Sequence, residues 1–507
     1  MRKFYNLILL SVIILCNSQL KAQVNTQDSL ALVDLYSSTN GPHWSRYNNW
    51  LTANPVSTWY GVTVTSNRVT SLNLYYNQLN GFIPSSIGNL SDLESLDLSS
   101  NFYFNGDIPS SLGNLTKLYY LNLNYGNHLT GSISFLANLH NLKDIELSTN
   151  QLSGKIPKLN CPSLSVLNLD GNQLIGSIPT FGKDTASIIS INLVHNKLTG
   201  GINHQFDSLA NLFEIFLEFN QLNGKISASL NKFSKLHEIV IDQNQLTGRL
   251  PSLDSLKNLD LISVGYNQLT GNIPASFNKN TKLYYADFSH NNFTGKLPSL
   301  DSLDPYADIY LENNKFTFAG MEDIASHFLN TYYTVYSPQA NINIQQNGNV
   351  LKVAAGGTLS NNTYKWYKNG VLFKTKTGNA SLTVNSNGNY SVAVTNSIAT
   401  QLTLYSDTVQ VTNLLQQNNL ATIEATSNNF SIYPNPVKTI ATISFNATGN
   451  CTIQLTDVSG NILQTKTILA KGTSTLQLDV SKYAAGMYFV SIINEGKLLH
   501  TLQLNKE

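Results

Sequence analysis

The stretch from Leu259 to Pro274 reads L-D-L-I-S-V-G-Y-N-Q-L-T-G-N-I-P, and its pattern recurs eleven times between Val69 and Phe318. No other feature restricts the fold as tightly, because a fixed period of this size builds a stack of similar coils, a solenoid. The anchor asparagines Asn77, Asn150, Asn172, Asn196, Asn220, Asn244, Asn267, Asn291 and Asn314 stand 22 to 24 residues apart where copies are regular. Asn101 and Asn127 mark two longer copies. In Leu72–Leu74, Ile239–Ile241 and Ile262–Val264, alternation turns two apolar side chains inward from a short strand. One coil cannot bury that face alone, so neighbours share a continuous core. The asparagine turns inward as well, where its amide can satisfy backbone groups freed as the chain leaves the strand. Gly271 and its equivalents permit a tight turn, and Ile-Pro opens an extended segment on the opposite side.

The pattern L-x-x-L-x-L-x-x-N resembles the leucine-rich repeat. Its extension L-x-G-x-I-P, as in Leu79, Gly81, Ile83 and Pro84, resembles the plant-type subclass, over Asp28 to Asn330. The resemblance implies binding of proteins, peptides or glycans through a strand-lined concave face. The expected fold is mostly β: a parallel sheet on the concave face, an irregular or extended convex side, and two small all-β sandwich domains after the solenoid.

In chain order, residues 1–22 have basic residues, an apolar run from Leu7 to Cys16 and Ala22 at the expected cut, the form of a secretory signal peptide. Leu15 before Cys16 departs from the small residue of a lipoprotein signal. No later stretch is long and apolar enough to be a transmembrane segment. Residues 23–68 form an N-terminal cap, with a short helix over Gln27 to Ser38 and the aromatics Trp44, Trp50, Trp59 and Tyr60. This cap resembles those of plant and bacterial leucine-rich repeat proteins, without the paired cysteines usual in plants. The repeats occupy 69–318, and a closing cap at 319–336 contains a helix over Met321 to Leu329.

From 337 to 412 strand alternation replaces the anchored period. Trp366 and Tyr390 resemble the core tryptophan and tyrosine corner of an immunoglobulin-like domain, with Val392 where a second cysteine usually stands. Residues 413–429 are polar and unpatterned, a linker. Residues 430–507 alternate as short strands, Thr442–Phe445 and Cys451–Leu455 among them. Y-P-N-P at Tyr433–Pro436, D-V-S-G-N at Asp457–Asn461, A-G-M-Y at Ala485–Tyr488 and the closing K-L-L-H-T-L-Q-L-N-K resemble the C-terminal sorting domain of the Bacteroidetes type IX secretion system. That resemblance implies the secretion machinery as a partner, and release or anchoring at the cell surface.

Composition excludes some functions. Charged residues are 12% of the chain, against roughly 25% in ordinary soluble proteins. A net charge of +1 gives no surplus for binding nucleic acid. Placement of the charge is more informative. Each repeat offers four outward positions, and across the set eleven are acidic and none is Lys or Arg. Asp144, Glu146, Glu214, Glu218, Glu238, Asp242 and Asp287 are among them, beside the aromatics Tyr120, Phe216, Tyr266, Tyr285 and Tyr310. These twelve are the candidate ligand-binding residues. Glu214, Glu218, Glu238 and Asp242 are open to two readings: hard oxygen ligands suited to Ca²⁺, or four solvated carboxylates. No other cofactor is expected.

Paired carboxylates also drive glycoside hydrolysis, but an open sheet offers little of the burial that separates their pKa values. His237-Glu238 lacks the second histidine of a zinc motif, and neither G-x-S-x-G nor a phosphate loop is present. The expected function is a non-catalytic recognition protein for an extracellular protein or peptide. A carbohydrate-binding adhesin is second, and a secreted hydrolase third.

Overall fold

The computed structural model describes residues 24–125, 128–182, 187–300, 302–304, 306–327, 334–412 and 430–507. The signal peptide at 1–22, Asn127, residues 328–329 of the expected closing helix and the linker at 413–429 lie outside the described residues. The chain forms two compact units. The first runs to Asn291 and includes Ser302–Ile309, and the second contains Asn292–Asp301 and Tyr310–Glu507.

The first unit opens with a helix, Thr26–Ser38, whose start is capped by the Asn25 side chain accepting from the Gln27 N–H at 2.8 Å. Its buried Asp28 accepts from Arg68 Nη2 at 2.8 Å, Arg68 Nε at 3.0 Å and the Val69 N–H at 2.8 Å. Trp44, Trp50 and Trp59 pack in sequence, with ring centroids 4.9 and 4.8 Å apart. The Trp44 and Trp50 indoles donate to the carbonyls of Thr39 and Tyr60. All three rings of this cluster are buried.

Two parallel sheets then grow coil by coil. In the first, strands from Arg68–Asn73 through Glu214–Phe216 to Tyr285–Asp287 pair in chain order, with Val62–Thr65 antiparallel at the edge. The three-residue strands run half-buried, buried, half-buried, so the middle residue enters the core, except in Leu261–Ser263, where Ser263 is buried as well. The anchor asparagines close each coil. Asn220 Nδ2 donates to the carbonyls of Leu193, at 2.9 Å, and Leu217, at 3.1 Å, while its Oδ1 accepts from Leu198 N at 3.0 Å.

The L-x-G segments, expected as tight turns, form a second parallel sheet. Ser153–Lys155, Gln173–Ser177, Lys197–Ile202, Gln221–Ile226, Gln245–Arg249 and Gln268–Gly271 pair in that order. The glycine of each L-x-G makes this happen. Gly176, Gly224 and Gly248 take φ near +80°, and the turned backbone exposes N–H and C=O groups to the neighbouring coil.

In the second unit a helix spans Met321–His327. Its Glu322 carboxylate accepts from Thr358 N–H and hydroxyl, Asn361 Nδ2 and Asn396 Nδ2, at 2.6 to 3.2 Å. The two sheets that follow are antiparallel, with three and five strands. Trp366 is fully buried, and the Tyr390 hydroxyl donates to the Ser386 carbonyl at 2.8 Å. The last segment is a five-stranded antiparallel sheet. Thr442–Phe445 and Cys451–Leu455, expected as separate strands, belong to one strand, Ile440–Thr456. Gly449 reads as a turn residue, yet it pairs in register with Ala470 and the ladder continues. Both halves of the strand enter one apolar core, which includes Phe445, Cys451 and Leu455.

Candidate functional site

Each coil presents its outward residues in a fixed order. In one coil Glu214 and Phe216 flank the buried Ile215, Glu218 follows, and Phe219 precedes the anchor Asn220. Among the described residues, the residue before the anchor is left-handed: Tyr76, His195, Phe219, Tyr266 and His290 have φ between +48° and +54°. That conformation is costly for large side chains, and the asparagine bonds hold it in place. It yields an edge column whose rings stack between coils. His195 lies on Phe219 at 4.3 Å and 7°, and His290 lies on Tyr266 at 3.8 Å and 11°. A parallel column begins seven residues before each anchor, where Phe213 stacks on His237 at 4.1 Å.

These histidines were missed by sequence reasoning. Residue type alone connects histidines with metal binding, and their spacing in the chain does not fit a metal site. The usable signal was their distance from an anchor asparagine, one residue for His195 and His290 and seven for His237.

The twelve candidate residues divide by environment. Glu146 is already engaged, accepting from Asn124 Nδ2 at 2.7 Å and Asn168 Nδ2 at 2.8 Å. Asp242 accepts from the Ser263 hydroxyl at 2.8 Å, and Asp287 from the Ser289 N–H at 2.8 Å. Tyr120 receives the Asn122 amide at 3.1 Å. Phe216, Tyr285 and Tyr310 are half-buried and Tyr266 is exposed. Asp144 is half-buried, and desolvation raises its pKa above the ordinary carboxylate range.

Glu214 and Glu238 occupy matching positions on adjacent strands. The Glu238 pKa is raised, first by burial and then by Glu214 and Asp260. Burial, with Asp242 and Asp170 adding repulsion, pushes the Glu218 carboxyl up to about 7. Its Oε2 is buried without a hydrogen-bond partner. The Asp242 and Asp287 carboxyls are raised mainly by desolvation too. Burial also lowers the His290 pKa to about 4, so this ring is neutral near pH 7 and does not compensate the carboxylates.

The calcium reading of the quartet is corrected by this arrangement. Glu214 pairs with Glu238 at the start of the strands, whereas Glu218 and Asp242 sit four residues further along each coil. Among the described residues no group of three or more His, Cys, Asp or Glu is placed to hold a metal ion. The four share the outward face, but four residues of extended chain, roughly 13 Å, and the intervening Phe216 and Val240 separate the two pairs.

With this geometry in hand, the chain carries leucine-rich repeats followed by a secretion sorting tail. Residues 68–90 and 92–115 match the leucine rich repeat family model, and 431–504 match the secretion system C-terminal sorting domain. The tail is a type IX sorting domain, and it directs the chain to the cell surface or the extracellular space. Among the described residues no helix is long and apolar enough to cross a membrane.

The chain is similar to a probable inactive receptor kinase of Arabidopsis thaliana, 41% identical over 135 residues, covering 25% of this chain and 12% of the relative. It is also similar to the leucine-rich repeat ectodomain of the Arabidopsis thaliana membrane receptor kinase GASSHO1/SCHENGEN3, solved in complex with Casparian strip integrity factor 2. That likeness has a TM-score of 0.50 at 26% identity, over 62% of this chain and 44% of the ectodomain. A plant peptide hormone receptor, RGFR1 in complex with RGF2, is similar at 31% identity with a TM-score of 0.42, covering 50% of this chain and 45% of that one. The chain therefore spans under half the length of each of these proteins.

Proposed function

We propose that the outward face of the first sheet, the concave face of the solenoid, recognises an extended basic segment of a peptide or protein without catalysis. The observation that carries this reading is the in-register pair Glu214 and Glu238, on a face whose outward positions hold no lysine or arginine. Like charges directly opposite on neighbouring strands oppose the fold. A cationic side chain lying between them relieves the repulsion and is steered there by the field of the surrounding carboxylates. Phe216, Phe219, Tyr266, Tyr285 and Tyr310 supply apolar contact beside the charges. The Arabidopsis ectodomain, solved with a bound factor, supports a ligand-binding role for such a solenoid.

On this reading the repeats at 69–318 are the reader, capped by 23–68 and 319–336. Residues 337–412 are an immunoglobulin-like spacer and 430–507 are the export address, in a Bacteroidetes cell. A carbohydrate-binding adhesin is the second reading. It is favoured by exposed aromatics on the first coils, where Tyr75 and Tyr76 lie 6.1 Å apart and Tyr76 and Phe102 6.2 Å.

Binding of the full chain to an array of basic peptides and neutral glycans, at low and high salt, tests the choice. Capture of basic peptides that weakens at least tenfold with salt, and that Glu214→Gln with Glu238→Gln abolishes, is expected. Glycan binding indifferent to salt and lost in Tyr76→Ala would replace it with the adhesin.

A further inference from the structure

The second sheet carries the opposite charge. Its strands from Ser153–Lys155 to Gln268–Gly271 contain Lys155, Lys197, Lys225 and Arg249 and no aspartate or glutamate. All four cations are exposed. None of them is in an ion pair among the described residues, although Lys117, Lys232, Lys279 and Arg68 elsewhere in the same unit each have an acidic partner. Lys197 reaches only the Gln173 amide oxygen, at 3.4 Å.

The glycine row organises these side chains. A Cβ placed on Gly176 would meet the Lys155 stem at 3.2 Å, one on Gly248 the Lys225 stem at 2.9 Å, and one on Gly271 the Arg249 stem at 3.0 Å. Lys155, Lys225 and Arg249 therefore lie across the glycine of the next coil, each with its stem packed on the sheet and its head at the surface. Register adds a spacing. Lys155 and Lys197 both pair with Ile175, so they share one row two strand intervals apart, roughly 10 Å. Beside Lys225 and Arg249 in the register, Thr247 and Thr270 donate their hydroxyl protons to the carbonyls of Gly224 and Gly248, at 3.1 and 3.2 Å. Their oxygen lone pairs then face outward as acceptors.

From this we propose that the second sheet is a binding surface for an anionic polysaccharide of the polyuronate class, separate from the peptide-reading face. Spaced cations take up carboxylates that repeat along an extended sugar chain, and the threonine oxygens accept from sugar hydroxyls. The stems of Lys155, Lys225 and Arg249 lie low over the glycine row, so a polymer can run along the sheet past their charged heads. Nucleic acid fits the same surface less well, because these strands present no aromatic ring on which a base could stack. Export to the cell surface or beyond places this sheet among such polymers.

The test is binding of the full chain to polygalacturonate, with neutral dextran and single-stranded DNA as controls. The expected result is binding to polygalacturonate that weakens with salt, with neither control bound as tightly. Replacing the cations together (Lys155→Gln, Lys197→Gln, Lys225→Gln, Arg249→Gln) lowers affinity at least tenfold with an unchanged melting temperature, while Lys155→Arg with Lys225→Arg retains it. Glu214→Gln with Glu238→Gln leaves polygalacturonate binding intact, which separates this surface from the first sheet. Undiminished affinity in the four-fold variant, equal binding of DNA, or equal binding of dextran would overturn the proposal.

Discussion

Two carboxylates withdrawn from water in the solenoid unit, Asp28 near the N-terminus and Glu218 of the first sheet, meet opposite treatment. Asp28 is wholly buried, and three donors converge on it from Arg68 and Val69. Glu218 has lost much of its water, keeps one oxygen without a partner, and faces Asp242 and Asp170 rather than a cation. A buried charge that is fully satisfied is part of the scaffold. One that is desolvated and left unmatched costs stability in the free protein, and such sites are where a ligand has the most to offer. The contrast separates structural from functional polar residues on a surface where both look alike in sequence.

The largest effect is expected on the scaffold side. Asp28→Ala leaves the Val69 N–H without its acceptor and Arg68 with only Ser91 and Asp92, and removing one partner of such a buried pair costs up to about 3–5 kcal/mol. Thermal or denaturant melting of the full chain measures it. A loss below about 1 kcal/mol would place Asp28 with the surface ion pairs, whose effects are of that size, and would dissolve the contrast.

The scaffold was readable in the chain because its rules are periodic. Asn220 and its equivalents repeat at nearly constant spacing, and each does the same work on the same backbone groups, so one copy explains the rest. The outward positions followed from alternation, which is why Glu214 and Glu238 could be placed on adjacent strands before any coordinates. The second sheet was not read, because its strands come from a glycine-centred conformation rather than an apolar alternation, and Gly176 or Gly248 looked like turn residues. Nor was the histidine stacking read. Position relative to the anchor puts His195 on Phe219 and His290 on Tyr266, whereas residue type alone suggested metal binding or nothing. The quartet was over-read for a related reason: four acids close in sequence pattern do not share a point in space.

A smaller and pH-dependent effect belongs to Glu218. Its folded pKa of about 7 lies above its ordinary value of 4.5, so the folded state holds the proton more tightly than the unfolded one. Stability on account of this group is therefore full below pH 4.5 and declines as pH rises toward 7. Glu218→Gln should melt with the parent near pH 4.5 and above it at pH 8, and the two curves should part between those limits. Curves that stay parallel across the range would show that solvent reaches this carboxyl freely and that the face carries no stored charge strain.

The smallest effect is the most specific. Glu214→Lys sets a cation beside Glu238 in the same register and converts a repelling pair into an attracting one. Opposite charges across neighbouring strands contribute about 0.2–1 kcal/mol, so melting should rise slightly. Binding of basic peptides should fall at the same time, because the lysine now occupies the place proposed for the ligand's own cation. Stability up with binding down is the signature of a face that trades folding energy for recognition. If both rise, or if binding is indifferent, the ligand does not use this pair, and the reading passes to the aromatic positions around Tyr75, Tyr76 and Phe102.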